Sequence, residues 1–379
     1  MLKFIRNQRI IQGAIMTSTC WEKIPVIIDT KRCSDSDENT QGHITIEAVA
    51  PVIISASRAT DIPSLYADWL IARLKKGYLR WLNPFSRQCQ YISFAKTRAI
   101  VFWSKNPRNL MKHLPELDNM GINYYFHFTL NDYENENIEP GIPKLTERIE
   151  TFRELSSRIG SKKVIWRADP LILSDTLTVE TLLSRVEYIG NALFGSTERL
   201  VFSFVDIEEY KSVRDRLKSS GTGGIREFTR EEKIQFAKGL FRLNRSWGFD
   251  MFTCAEDIDL TSYGIQQGGC IDAVLMTELF HHDKKLMDFL GPSVQTLLHS
   301  FGAGTNSRSA PALKDPGQRR ECLCVCSKDI GQYNTCTHMC VYCYANRSED
   351  LVREMAGKYL TQHKGQYGDM IADPEHKTK

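Results

Sequence analysis

At 379 residues, 42% of them hydrophobic, the chain is long enough for one large domain or two ordinary ones. Its formal net charge of +3 gives no general electrostatic attraction to DNA or to a membrane surface. It contains no apolar run of the roughly eighteen residues that a transmembrane helix requires. The N-terminal stretch MLKFIRNQRIIQGAIM is basic and apolar but interrupted by Arg, Asn, Gln and Gly. It lacks the unbroken apolar centre of a secretory signal, so a cytoplasmic location is expected, with Met16 as an alternative start. Residues 1–50 read as a peripheral extension, with a polar loop over Cys33–Gly42.

From Pro51 a rhythm begins, in which short β-branched or aromatic runs lead into polar loops and then helical periodicity. Strands are expected over Val52–Ser55, Arg98–Trp103, Asn123–Leu130, Lys163–Arg167, Arg199–Phe204 and Met251–Cys254. Helices are expected over Ser64–Lys76, Leu110–Met120, Lys144–Ile159, Val179–Phe194, Glu231–Asn244 and Ala273–Leu290. This alternation predicts an α/β fold, a parallel βα barrel or partial barrel, with its core in 51–300. In such folds the loops after the strands carry the chemistry, and here they are SASRATD, WSKN, TLND, RADP, FVD and CAED. Arg216–Gly224 reads as a mobile connection and Gly302–Gln318 as a linker.

Eleven cysteines, an odd number in a chain without a signal peptide, argue against a disulfide framework. Six of them lie between Cys322 and Cys343, and crowded thiols in a reducing compartment bind metal. In Cys336-Thr-His-Met-Cys340-Val-Tyr-Cys343, three residues and then two separate the thiols. On one tight loop, three thiolates so spaced can converge on one face of a cubane cluster and leave its fourth iron without a protein ligand. A fully ligated cluster transfers electrons. An open iron can chelate S-adenosylmethionine, and one electron then cleaves the sulfonium to a 5′-deoxyadenosyl radical. Tyr342 stands where it can pack near the adenine. Ferredoxin spacings differ from this one, and a structural zinc site uses two-residue spacings and four ligands.

The three-then-two spacing, followed by Tyr344-Ala345-Asn346, resembles the signature of the radical S-adenosylmethionine superfamily. The segment DIGQYNTCTHMCVYCYAN, with SASRATDIP, VFWSKNP, IEPGIPKLTERI, VIWRADPLIL and TCAEDIDL, resembles an uncharacterised bacterial and archaeal family over about residues 45–350. That family is labelled only as a domain of unknown function and is distantly similar to spore photoproduct lyase. The resemblance implies an oxygen-sensitive enzyme holding a [4Fe–4S] cluster and S-adenosylmethionine, supplied with electrons by a reductant such as ferredoxin or flavodoxin. It makes a nucleic-acid or nucleotide substrate conceivable, although neither charge nor aromatic-basic interleaving adds support. In ordinary members of the superfamily the three cysteines follow the first barrel strand, whereas here they come last. A circular permutation accounts for this, with Lys328–Asn334 as first strand, Ser348–Leu360 as its helix and Val52–Ser55 beside it. Residues 301–350 then form a cluster-binding segment that completes the barrel, and 351–379 a C-terminal helix and tail.

Binding the methionine carboxylate needs a cation or hydroxyl donors. Ser104 and Lys105 resemble a Ser/Thr-Lys pair of photoproduct-lyase-like enzymes. Ser57, Arg58 and Asp61 stand where the superfamily recognises the amino group, although no Gly-Gly-Glu stretch occurs there. Arg167 and Asp169 fit either a buried ion pair or a direct contact with cofactor or substrate. Glu139 and Arg148 offer similar chemistry, and Asp206 and Glu256 end later strands. His127 reads as a core histidine and His281-His282 as surface. In the resemblance, Cys254, Cys270, Cys322 and Cys324 recur, with Cys326 extra. Cys322, Cys324 and Cys326 alternate along an extended segment, which can turn all three to one side. Four thiols suit a second [4Fe–4S] cluster or a structural zinc, and small buried hydrophobes are the alternative. Two other classes of function stay open: a zinc-stabilised nucleic-acid or protein binding module, and an iron–sulfur electron-transfer protein.

Overall fold

A computed structural model of the chain describes residues 20–31, 41–219, 224–291, 313–362 and 367–375. The basic N-terminal stretch, Met16 and most of the expected linker lie outside these residues. The strands run in chain order as β1 (Glu22–Lys31), β2 (Gln41–Ala50), β3 (Ile53–Ala56), β4 (Tyr78–Leu82), β5 (Cys89–Ser93) and β6 (Ala99–Ser104). They continue with β7 (Asn123–Thr129), β8 (Val164–Leu171), β9 (Arg199–Phe204), β10 (Asp250–Cys254), β11 (Ile265–Gly268) and β12 (Lys328–Asp329).

Eight of them build one sheet in the order β11-β10-β9-β8-β7-β6-β3-β12, every neighbouring pair parallel. The strands are strongly apolar because both faces of the sheet are covered. On β7, Tyr124, Phe126 and Phe128 join one core with Phe152, Ile189 and Phe236 from the long helices Leu145–Ile159, Val179–Leu193 and Arg230–Trp247. Tyr125, one position out of step, joins the opposite core with Met276 and Leu286 from helices Ala273–Phe280 and Lys284–Leu290. Side-chain caps start several helices: Thr229 and Glu232 form a capping box, and Asp61 caps the short helix Ile62–Leu65.

The parallel α/β class agrees with the sequence reading. Closure does not follow: among the described residues no ladder joins β11 to β12, and the sheet stays open in its hydrogen bonding. The expected neighbourhood of the cysteine segment's strand and Val52–Ser55 is present. β12 pairs with β3 through Lys328–Ile54 and Asp329–Ser55, although it is only two residues long. Side-chain bonding makes up for the short ladder. The Asp329 carboxylate accepts from Ser55 Oγ (2.7 Å), Ser57 Oγ (2.7 Å), Arg58 N (2.8 Å) and Gly331 N (2.8 Å). The following helix, Glu349–Gln362, lies where expected.

Residues 22–31 and 41–50, expected within a peripheral extension, form strands. β1 and β2 pair antiparallel and join β5 and β4 in a second sheet, β1-β2-β5-β4. Gln41 and Gly42, read as loop, begin β2, while 33–40 lie outside the described residues. A disulfide joins Cys20 to Cys326, an exception to the expected absence of such bonds. The helix foreseen at Ser64–Lys76 breaks at Tyr66, and the one at Ala273–Leu290 breaks before Lys284. The helix foreseen at Leu110–Met120 is likewise two short ones, Arg108–Met111 and Leu114–Asn119. Residues 216–219 end the helix Lys211–Ser219 and are not a connection. No described helix is long and apolar enough to cross a membrane.

Candidate metal and cofactor site

The C-terminal ends of the parallel strands open on one cavity of about 370 Å³. Every residue nominated for cofactor contact lines it: Ser57, Arg58 and Asp61 after β3, Ser104 and Lys105 at the end of β6, Arg167 and Asp169 on β8, and Tyr342 after β12. All seven nominated cysteines line it as well: Cys336, Cys340 and Cys343 after β12, and Cys254, Cys270, Cys322 and Cys324.

The loop carrying Cys336, Cys340 and Cys343 is fixed from several sides. Asn346 Nδ2 donates to Cys336 O at 2.8 Å, Val341 N to Ile138 O at 3.0 Å, and Arg216 Nη1 to Cys343 O at 2.7 Å. Tyr66 donates its hydroxyl to Thr335 O. The Pro140-Gly141 turn presses against the same loop: Gly141 N donates to His338 O at 2.9 Å, and His338 Nδ1 lies 3.1 Å from Gly141 O. A Cβ at Gly141 would stand 2.5 Å from Thr337 O, so only glycine allows this approach. Met339, just before Cys340, is held at φ 56°, a left-handed conformation that the loop imposes.

His338 Nε2 lies 2.9 Å from Asp61 Oδ2, and Asp61 also accepts from Ser104 Oγ (2.7 Å) and Lys105 N (2.7 Å). Burial pushes the Asp61 carboxyl up, but His338, Lys105 N and Ser104 outweigh it and keep it ionised. Asp61 is therefore a fully engaged positioning residue, holding the cysteine loop to the ends of β3 and β6. Lys105 is also committed. Its Nζ donates to Glu139 Oε1 at 2.6 Å and to Tyr342 OH at 2.8 Å. Burial lowers the Lys105 pKa, but Glu139 and then Cys340 raise it above the usual value, so the ammonium persists. Glu139, a minor candidate in the sequence, is the anion at the centre of this network. Arg148 approaches it at 4.0 Å, and Glu139 Oε2 and Arg148 Nη1 are buried without hydrogen-bond partners.

Of the two readings offered for Arg167 and Asp169, the structure bears on the buried ion pair. They form a buried ion pair, and Arg167 Nη1 reaches Cys270 Sγ at 2.7 Å. Cys254 Sγ is 3.1 Å from Cys270 Sγ, and Cys324 Sγ accepts the main-chain N–H of Cys270 (3.2 Å) and Ile271 (3.3 Å). Cys326 does not join them, being bonded to Cys20. The remaining candidates separate cleanly. Asp206 lines the cavity and pairs with Arg319, whereas Glu256 turns to Lys233 (2.9 Å) and Phe204 N (2.9 Å). His127 is buried against Cys270 O at 2.7 Å, and burial together with Arg167 pushes its pKa down to about 3, so it is a neutral core residue. His281 and His282 are exposed.

Sequence reasoning missed Trp103, Tyr210 and Arg319 on the cavity wall. Arg319 Nη2 donates to Tyr210 OH at 2.7 Å, and the Tyr210 ring stacks on Tyr344 with centroids 5.5 Å apart. Trp103 offered the one signal, as the first residue of the loop WSKN, since Tyr210 lies beyond FVD and Arg319 follows a linker without a pattern.

Among the described residues, no three Cys, His, Asp or Glu side chains stand as a formed metal site. The donor chemistry nevertheless fits a cluster on Cys336, Cys340 and Cys343. Three thiols from one fixed loop face one cavity, with the Lys105 and Arg216 cations nearby. Burial pushes all three thiols up, Cys336 to about 12, so without a metal they are neutral. Coordination to a metal removes such protons outright.

A family model described as a domain of unknown function (DUF1848) matches residues 53–345. No curated protein and no solved structure matches the chain significantly.

Proposed function

The chain belongs to the DUF1848 family, whose model spans more than three quarters of its 379 residues, and from that premise we propose that it is a radical S-adenosylmethionine enzyme. We further propose a circularly permuted architecture of the superfamily, distantly akin to spore photoproduct lyase. The supporting observation is the meeting of Cys336, Cys340 and Cys343 with Ser57, Asp61, Ser104 and Lys105 on one cavity. That cavity lies at the C-terminal ends of parallel strands, where α/β folds bind their ligands.

A [4Fe–4S] cluster on the three thiolates supplies, when bound, the reductive cleavage of S-adenosylmethionine to a 5′-deoxyadenosyl radical. The chain's own residues set the stage for it. Asp61 and His338 lock the cysteine loop against β3 and β6. Lys105, kept charged by Glu139, presents an ammonium to the cavity beside Cys340. Arg58 and Arg319 add positive charge to the wall, and the stacked Tyr210 and Tyr344 offer a surface on which a base can lie. The hydrogen donor is a molecule small enough to share this cavity or a nucleotide presented to it, and the electron comes from a ferredoxin- or flavodoxin-like reductant.

Anaerobically purified protein is expected to be brown, with about four irons per cluster, and to release 5′-deoxyadenosine from S-adenosylmethionine under dithionite. Cys340→Ala abolishes that release. Colourless protein with stoichiometric zinc would overturn the reading in favour of a binding module. Brown protein that leaves S-adenosylmethionine intact would overturn it in favour of electron transfer.

A further inference from the structure

Four thiols on the cavity wall are not used by the proposed reaction. Cys254 ends β10, Cys270 follows β11, and Cys322 and Cys324 precede β12. Their sulfurs form a continuous series. Cys254 touches Cys270 at 3.1 Å, and the thiols of Cys270 and Cys322 both reach Cys324. Packing forces this meeting. A Cβ at Gly269 would stand 2.7 Å from Leu323 O, so the chain before Cys270 is pressed directly on the segment that carries Cys322 and Cys324. Val325 N then donates to Ile271 O at 3.0 Å.

Two of the four sulfurs accept hydrogen bonds. Cys324 Sγ takes two main-chain N–H groups, at 3.2 and 3.3 Å, and Cys270 Sγ takes Arg167 Nη1 at 2.7 Å. Donors of this kind orient and tune metal-bound thiolates. Arg58 is an independent sign. Its Nη2 is buried without a hydrogen-bond partner, on a cavity-lining side chain held 5.3 Å over the Trp103 ring. Cys324 and Cys270 lie within its electrostatic reach. The Asp329 and Asp315 carboxylates lie within the same reach, and thiolates at Cys324 and Cys270 would add to the charge that offsets the burial of this guanidinium.

We propose that Cys254, Cys270, Cys322 and Cys324 ligate a second metal centre, with Arg167 and Arg58 offsetting its negative charge. Its chemistry is that of a soft, thiophilic metal, iron in an iron–sulfur cluster or a single zinc ion. A cluster, whose cysteines bind separate irons, needs a wider separation than one ion does; around a single tetrahedral zinc at about 2.3 Å, sulfurs stand roughly 3.8 Å apart, so the 3.1 Å pair opens by about 0.7 Å on loading. Side-chain rotation at Cys254, which is only partly buried, can supply that movement.

The test uses the full chain carrying Cys336→Ala, Cys340→Ala and Cys343→Ala, which removes the first site. It is purified anaerobically and loaded either with ferrous iron and sulfide or with zinc alone. The protein is expected to retain about four irons and four sulfides, or one zinc, and whichever load survives gel filtration and chelator identifies the metal. Adding Cys270→Ser and Cys324→Ser removes it. A folded triple variant that holds neither metal would overturn the proposal. If the triple variant does not fold, Cys270→Ser with Cys324→Ser in the otherwise natural chain decides. Metal content equal to the parent's overturns the proposal, and a fall by one centre supports it. Arg58→Gln is expected to yield its metal to chelator at about tenfold lower concentration, and unchanged retention refutes the part given to Arg58. Failure of the radical reading looks different, because it leaves the metal of the triple variant in place.

Discussion

Gly141→Ala probes how tightly the Cys336–Cys343 loop must be held. The added methyl would lie 2.5 Å from Thr337 O, 2.7 Å from His338 Cα and 2.8 Å from His338 C, all of them backbone atoms. Restoring ordinary contact at 3.4 Å requires the turn and the loop to part by about 0.9 Å. That separation stretches the 2.9 Å bond from Gly141 N to His338 O and the 3.1 Å contact of His338 Nδ1 with Gly141 O. Two weakened hydrogen bonds at about 1 kcal/mol each, with about 1–3 kcal/mol of overpacking, predict a loss of about 3–5 kcal/mol. Displacement of a positioning loop by about 1 Å can also lower a reaction rate by about a hundredfold. Chemical denaturation measures the first effect, and iron retention with 5′-deoxyadenosine release measures the second. Gly357→Ala is the control. It lies within the helix Glu349–Gln362 with open space around it, and alanine there should add about 0.5–1 kcal/mol. Parental stability and iron retention in Gly141→Ala would show that the turn does not hold the loop.

Two other perturbations address buried charge. Lys105→Met leaves Glu139, whose side chain is 2% exposed, without its closest cation and should cost about 3–5 kcal/mol. Lys105→Met with Glu139→Leu should recover at least half of that in thermal unfolding, and a double variant as unstable as the single one refutes the pairing. Lys328 sits 3.5 Å over the Trp81 ring, and burial pushes its pKa from 10.5 down to about 8. Between those values the native state binds fewer protons than the unfolded one, so this group makes stability rise with pH from about 8 to 10.5. Lys328→Met should remove that rise and be more stable at pH 7. The gain is about 1–3 kcal/mol, the ring's attraction for the ammonium offsetting part of the burial cost. Urea midpoints of both proteins at pH 7, 9 and 10.5 check it, and a difference that does not change with pH sinks it.

What the sequence made legible follows from burial. β6 to β10 are covered on both faces and read as apolar runs, so their positions come within a residue or two of the pattern, except that β8 continues past Arg167 to Leu171. β1 and β2 alternate, and β1 is an edge strand carrying Pro25, which weakens the signal. β11 holds two exposed glutamines and two glycines among its neighbours, a composition that suggests a loop. The site residues were legible as types and loops, but not as partners. Lys105 meets Glu139 across 34 positions, and Asp61 meets His338 across 277. Motif reading therefore assigned Asp61 and Lys105 to a ligand, when each is first of all bound within the protein. Alternation placed Cys326 with Cys322 and Cys324, and its bond to Cys20, just before β1, took it elsewhere.

The position of the cysteines at the end of the chain then has a structural consequence. Among the described residues β11 and β12 are the two edges of the parallel sheet, and a single C-terminal segment works at both. Before β12 it lies on the loop after β11, through Val325 N to Ile271 O and the close approach at Gly269. At β12 it is bound to β3 by two ladder pairs, and Asp329 adds four acceptor bonds. Trp81 Nε1 holds Gly331 O at 2.9 Å from the second sheet. Cys322 and Cys324 lie on one side of this short strand and Cys336, Cys340 and Cys343 on the other. Each cysteine group is completed by residues from elsewhere, Cys254 and Cys270 for the first, Asp61 and Lys105 for the second. A metal bound by the first group would tie the segment to β10 and β11, and one bound by the second would tie it to β3 and β6.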